Sequence, residues 1–162
     1  MHTHLPDPQQ VLETVSDPEI PVLSVLDMGI IRNVSENHEP LTITITPTYS
    51  GCPAMDTIEA DIKSAFYKAG YHKIEVITVL DPPWTTDWMS EAGKAKLEAY
   101  GIAPPNGHSA DKRHLFGQAP EVRCPQCKSV NTRRISQFGS TPCKALYQCN
   151  DCLEPFDYFK CI

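Results

Sequence analysis

At 162 residues the chain has room for one domain or two small ones, and a hydrophobic content of 41% is enough for a packed core. A net charge of −6 argues against a nucleic-acid binder as a whole, because phosphate contacts need a basic face. No segment approaches the ~20 apolar residues that span a bilayer. Charge is unevenly placed: residues 1–120 hold 8 Lys/Arg against 16 Asp/Glu, whereas residues 121–162 hold 6 against 4. The start, MHTHLPDPQQ, has no apolar signal core, and the expected setting is soluble, cytoplasmic and thiol-reducing.

In chain order, residues 8–16 predict a short helix with Val11, Leu12 and Val15 on one face, stopped at Asp17-Pro18 because a residue before proline is pushed out of the helical region. DPEIP (17–21) reads as a rigid acidic loop, and Asp27-Met28-Gly29 as a turn feeding a strand at 30–34. Residues 41–46 alternate Leu41, Ile43, Ile45 with Thr42, Thr44, Thr46, the mark of a strand with one buried face. Residues 53–69 give the clearest helix, with Met55, Ile58, Ile62, Phe66 and Ala69 at spacings of 3 and 4 and Gly70 as C-cap. Residues 74–80 are apolar on both faces and predict a central strand. A second helix runs over 90–100, capped by Ser90 and closed by Gly101, with Leu97 and Tyr100 facing inward. Periodicity then vanishes. The expected division is an α/β domain over 1–103, a Pro/Gly-rich linker over 104–120 and a small module over 121–162.

That module carries two Cys-x-x-Cys pairs, Cys124 with Cys127 and Cys149 with Cys152, separated by 21 residues. Two such knuckles close a tetrahedral S₄ site, most often a structural Zn²⁺ ribbon. Iron suits the same ligands. A hairpin of 132–138 with 145–148 would return the second knuckle to the first, and Phe156, Tyr158 and Phe159 would pack beside the metal. Cys143 and Cys161 fall outside the pairs; they read either as partly buried thiols or as additional thiol ligands.

Cys52, between Gly51 and Pro53, falls at or near the start of the 53–69 helix. There free N–H groups and the helix dipole favour a thiolate, so it is a candidate nucleophile or a ligand for iron in transit. A buried junction cysteine is the even alternative. Asp17, Glu19 and Asp27 could bind a hard metal or a basic partner, but such charges more often only cap helices and solvate loops. Trp84 and Trp88 read first as lids on a core, then as partner anchors. His2, His4, His38, His72, His108 and His114 form no ligand pair at helical spacing and are assigned to the surface.

SDPEIPVLSVLDMGIIRNV (16–34), TPTYSGCPAMD (46–56) and VLDPPWTTDWMSEAGKAKLEAYGI (79–102) resemble the small α/β domain of SufT-type iron–sulfur assembly proteins. With the tail CPQC…FGSTPCKALYQC…CLEPFDYFKC, nearly the whole chain from about residue 10 resembles the PaaD family of bacterial phenylacetyl-CoA epoxidase systems, which serve aerobic phenylacetate degradation. The resemblance implies an α+β two-layer sandwich with a small mixed sheet, followed by a Cys₄ zinc ribbon. It implies a non-catalytic accessory or maturation factor that assists iron or iron–sulfur cluster installation in the oxygenase or reductase subunit. It maps the family's cysteine onto Cys52 and its acidic motif onto Asp17, Pro18 and Glu19, as transient iron or cluster contacts.

Two other functions compete with this one. An electron-transfer or catalytic subunit would hold iron in the Cys₄ site. A nucleic-acid-binding ribbon would use Arg123, Lys128, Arg133, Arg134 and Lys144, against the acidity of the first domain. A homodimer through an open sheet edge is compatible with the sequence.

Overall fold

A computed structural model describes residues 5–36, 39–106 and 120–160. The described residues form a mixed α/β protein with small sheets and three α-helices, together with a four-cysteine ribbon sheet. The chain forms two compact units that divide between Trp84 and Thr85.

The first unit opens with helix α1, Pro8–Glu13, whose N-cap Asp7 accepts the Gln9 N–H at 2.8 Å and whose first residue is proline. The helix ends before Ser16 because the chain turns into a closed loop. Ser16 and Ser24 form a bridge, Asp17 N–H donates to Leu23 O (2.8 Å) and Val25 N–H to Val15 O (2.9 Å). Strands β1 (Ile31–Ser35), β2 (Leu41–Ile45) and β3 (Ile74–Thr78) form a sheet ordered β1-β2-β3. The first pair is antiparallel with an irregularity between Ile31 and Asn33; the second is parallel, connected by helix α2, Ala54–Lys68.

The central strand is therefore β2, and the expectation for 74–80 is corrected. β3 is an edge strand in its sheet, with Ile77 and Leu80 exposed. Among the described residues its apolar run has one neighbouring strand, β2, and strand order is a long-range property that local composition does not carry. β2 keeps the alternation read from its sequence, burying Leu41, Ile43 and Ile45. Helix α2 buries Ala54, Ile58, Ile62 and Phe66; each of the three large side chains contributes about 1.5–3 kcal/mol. It ends in a Schellman motif: Gly70 at φ +99° donates to Tyr67 O, Tyr71 N–H reaches Phe66 O, and the Phe66 and Tyr71 rings meet edge to face at 5.1 Å. Trp84 is buried and donates from Nε1 to Met28 O at 2.9 Å, the lid role.

The second unit contains helix α3 (Glu91–Tyr100) and strands β4 (Ile102–Ala103), β5 (Thr132–Ser136), β6 (Lys144–Cys149) and β7 (Pro155–Phe159). Ser90 caps α3 by accepting Gly93 N–H at 2.8 Å, and Gly101 closes it at φ +93°. Leu97 is buried as expected. Tyr100 is not: it is 56% exposed. The sheet is ordered β4-β7-β6-β5. The hairpin β5–β6 follows the sequence reading, while β7 and β4 add two strands to it. Because Ile102 and Ala103 pair in parallel with Asp157 and Tyr158, residues 85–103 sit in the compact unit of the ribbon rather than in that of the first sheet. Most of the 104–120 linker lies outside the described residues.

Candidate metal centre and the Cys52 turn

The two cysteine knuckles are built alike. In the first, Cys124 N–H donates to Ser129 O (2.9 Å) and Lys128 N–H to Cys124 O (3.0 Å); in the second, Cys149 N–H donates to Glu154 O at 3.0 Å. Lys128 and Leu153, each the residue after the second cysteine of its pair, are both left-handed. The tight turns aim paired sulfurs at a common point. Cys124 Sγ lies 3.7 Å from Cys152 Sγ, Cys127 Sγ lies 3.5 Å from Cys149 Sγ, and all four are within 4.8 Å of one another. A tetrahedron of sulfurs at the Zn–S distance of ~2.3 Å has edges of about 3.8 Å, close to the two separations above, so the donor set fits a tetrahedral metal ion.

Without a cation the thiols compete for charge. The backbone N–H of Cys152 and further hydrogen bonds pull Cys149 down to about 7 despite its desolvation. Cys152 has the backbone N–H of Glu154 in its favour, yet desolvation and the neighbouring thiols push it up to about 12. Cys127 is also raised: its hydrogen bond from Ser129 is outweighed by desolvation and by other thiols. A bound metal ion would let four sulfurs this close share their negative charge.

An outer polar network ties the knuckles together, and the sequence reading missed it. Asp151 accepts from the Ser129 hydroxyl and from Asn131 Nδ2 (2.9 Å), and Asn150 Nδ2 donates to Asn131 Oδ1 at 3.0 Å. These bonds hold the Asp151 carboxyl below its ordinary range. The available signal was the run of short polar residues at both knuckle tips, which favours tight turns. Behind the sulfurs, Tyr147, Phe156 and Tyr158 pack with Cys124 and Cys149 in one buried cluster, as the sequence led us to expect of the last two aromatics.

Cys143 is buried, with its Sγ 3.0 Å from Thr141 Oγ1, and it is not a member of the four-sulfur group. Cys161 lies outside the described residues. Of the five basic residues considered for nucleic acid, Lys144 is buried with Asp157 Oδ2 at 3.8 Å, Lys128 pairs with Glu98 at 2.5 Å, and Arg133 donates to Gln148 at 2.7 Å.

In the first unit, Cys52 is half-buried. It stands one residue before Pro53, the N-cap of α2, and follows Gly51 at φ +79°. Its carbonyl accepts Met55 N–H and its N–H donates to Tyr49 O, both at 3.2 Å. Asp17 is buried and its Oδ1 accepts the N–H groups of Glu19 (2.8 Å) and Ile20 (2.7 Å), holding the DPEIP turn. Asp27 and Ser24 cap each other's backbone in the next turn. Among the described residues the four ribbon cysteines are the group of three or more ligand side chains brought within metal reach; Asp17, Glu19 and Cys52 are not gathered into another.

Comparison with known proteins separates the same two parts. Residues 9–76 match the iron-sulfur cluster assembly protein family, and residues 108–160 match the PaaD zinc beta ribbon domain. The chain is 53% identical over 152 residues to an Escherichia coli (strain K12) protein assigned to 1,2-phenylacetyl-CoA epoxidase as one of its subunits, covering 94% of this chain and 90% of that one. It is 39% identical over 88 residues to the Fe-S protein maturation auxiliary factor YitW of Bacillus subtilis (strain 168), covering 53% of this chain and 85% of the relative. Among solved structures, a DUF59 domain of unknown function from Bacillus anthracis superposes with a TM-score of 0.51 at 31% identity, over 56% of this chain and 87% of that one.

Proposed function

Since this chain belongs to the PaaD family of 1,2-phenylacetyl-CoA epoxidase components, we propose that it is a non-catalytic maturation factor for that epoxidase, acting in the cytoplasm on its oxygenase or reductase subunit. Iron or an iron–sulfur cluster is the cargo and Cys52 is its transient contact. The observation that carries this reading is the placement of Cys52: a half-exposed thiol on a glycine turn at the mouth of α2, within the residues that match iron–sulfur assembly proteins. Asp17 contributes by fixing the acidic turn that carries Glu19, which is half-buried.

The ribbon has a different task in this reading. Cys124, Cys127, Cys149 and Cys152 would hold Zn²⁺, which supplies folding energy and no chemistry. A site with four protein sulfurs leaves no open position for a substrate.

The test is Cys52→Ser in an epoxidase reconstituted from freshly made subunits, read as client iron content and epoxidation rate. The expected result is loss of both with an unchanged unfolding transition of the variant itself. Full activity and full iron loading with Cys52→Ser would sink the assignment. A brown wild-type protein whose iron is lost on Cys149→Ser would favour electron transfer instead.

A further inference from the structure

The face of the ribbon sheet that carries the tyrosines contains a cavity of about 140 Å³ which the maturation reading leaves unused. Arg134 on β5 stands opposite Tyr147 on β6, and Ala145 on β6 stands opposite Tyr158 on β7. Alternation along the strands puts these four side chains on one face, and Lys160, two residues past Tyr158, extends the same row. Pro120 closes one side. The Tyr147 and Tyr158 rings meet edge to face at 5.5 Å and form the apolar wall.

Arg134, Gln137, Tyr147, Tyr158 and Lys160 all bring side-chain donors to this cavity. Arg134 makes no ion pair with any described residue. Among the described residues Lys160 Nζ donates one hydrogen bond, to Gln137 O at 2.9 Å, and lies 4.5 Å from the centre of the Phe138 ring. Tyr147 is 4% exposed as a residue and lines the cavity, where its hydroxyl makes no hydrogen bond among the described residues. The acid next along β7, Asp157, is on the opposite face with Lys144. Two cations, a phenol and the tyrosine, alanine and proline walls thus surround a hollow that, among the described residues, is lined by no carboxylate.

We propose that this cavity, bounded by Pro120, Arg134, Ala145, Tyr147, Tyr158 and Lys160, binds a carboxylate group carried on a small apolar body. The guanidinium fork matches a planar carboxylate, the Tyr147 hydroxyl adds an uncharged donor, and the tyrosine, alanine and proline walls suit an apolar body better than a hydrated phosphate. Burial, together with the nearby Arg134 charge, holds Lys160 below its ordinary range despite the opposing influence of Cys143; a bound anion relieves that cost. The carboxylate is either that of a free small acid or the terminus of a peptide chain.

The experiment uses the full metal-loaded chain, titrated with benzoate, butyrate, benzamide and inorganic phosphate, and read by the amide signals of β5, β6 and Lys160. Benzoate is expected to bind with a Kd of about 1 mM and benzamide not to bind. Tyr147→Phe should weaken benzoate about tenfold and Arg134→Gln by at least as much, each removing a hydrogen bond to a charged acceptor. Arg134 is exposed, and Tyr147→Phe removes a single oxygen, so the unchanged amide spectrum checks the fold. A dipeptide with a free terminus binding more than about tenfold tighter than benzoate, and losing that on amidation, assigns the site to a chain terminus; equal affinity assigns it to a free acid. Equal binding of benzoate and benzamide, tighter binding of phosphate than of benzoate, no carboxylate binding up to about 20 mM, or indifference to both substitutions would each overturn the proposal.

Discussion

Lys128 and Leu153 occupy the same step of two separate knuckles, and both are left-handed, at φ +67° and +65°. Neither is glycine, although an L-residue costs roughly 1–2 kcal/mol in this conformation. The turn is imposed by the need to bring the second sulfur of each pair onto the metal position. Leu153 is also 67% exposed, so its side chain contributes little packing in return. Leu153→Gly is therefore expected to raise the stability of the metal-loaded ribbon by up to about 1 kcal/mol, and Leu153→Val to lower it by about 1–2 kcal/mol, since β-branched residues tolerate positive φ worst. Denaturant midpoints of the holoprotein check both signs.

Metal removal should unfold the second unit selectively. The four sulfurs lie within 4.8 Å of one another, and two of their cysteines, Cys124 and Cys149, form part of the cluster that buries Tyr147, Phe156 and Tyr158; ribbon folding free energy is largely metal-binding free energy. A strong chelator is expected to abolish the near-ultraviolet tyrosine signal of the ribbon while the amides of β1–β3 and α2 keep their dispersion. Metal counting should give about one ion per chain, and Cys149→Ser well below that. Retention of the ribbon amide pattern in fully metal-free protein would contradict the expectation.

Gly139 packs where no side chain fits. A Cβ there would lie 2.7 Å from Asp157 Oδ1 and 3.3 Å from Lys144 Cβ, against the ion pair whose lysine is buried. Gly139→Ala should cost about 1–3 kcal/mol by overpacking. The same substitution at Gly51, where nothing lies within 4 Å, meets backbone strain from φ +79° but no clash. Comparing the two variants by denaturant melts separates crowding from conformation.

A pH effect is expected from Glu39 and Lys73, which join the start of β2 to that of β3 at 2.8 Å. The hydrogen bond and charge of Lys73 lower Glu39 from 4.5, and those of Glu39 raise Lys73 from 10.5. A depressed carboxylate contributes stability above its ordinary value and loses it as pH falls through the folded value. The raised lysine loses its share as pH rises past 10.5. Wild type and Lys73→Met should thus differ between these limits and converge at either extreme. Both groups are exposed, so the difference is small and shrinks with salt. Urea midpoints against pH at low ionic strength measure it.

Local features were legible residue by residue. The caps Ser90 and Gly101, the glycine after α2, the alternation of 41–45 and the inward row Ile58, Ile62, Phe66 all appear where the sequence placed them. So do the four metal-site cysteines. Each of these rests on chemistry within a few residues: an orphan N–H, a positive φ, a periodic face, a two-thiol turn. The apolar run of 74–80 misled, because being central requires a second neighbouring strand and β3 has one partner in its sheet. Tyr100 misled for a related reason: its helical phase was right for Leu97, but its side chain is exposed.

The sequence by itself determined an S₄ centre, a cysteine at a helix mouth and the ends of the longer helices, since ligand identity and capping are carried by neighbouring residues. Only the tertiary structure decided that β4 joins the ribbon sheet through β7, and that the Asp17 carboxylate accepts the Glu19 and Ile20 N–H groups and holds a turn. It alone brought Arg134, Tyr147 and Lys160 around one cavity. Those outcomes depend on strand pairing and packing between segments far apart in the chain, where register and burial are set by the partner and not by the segment itself.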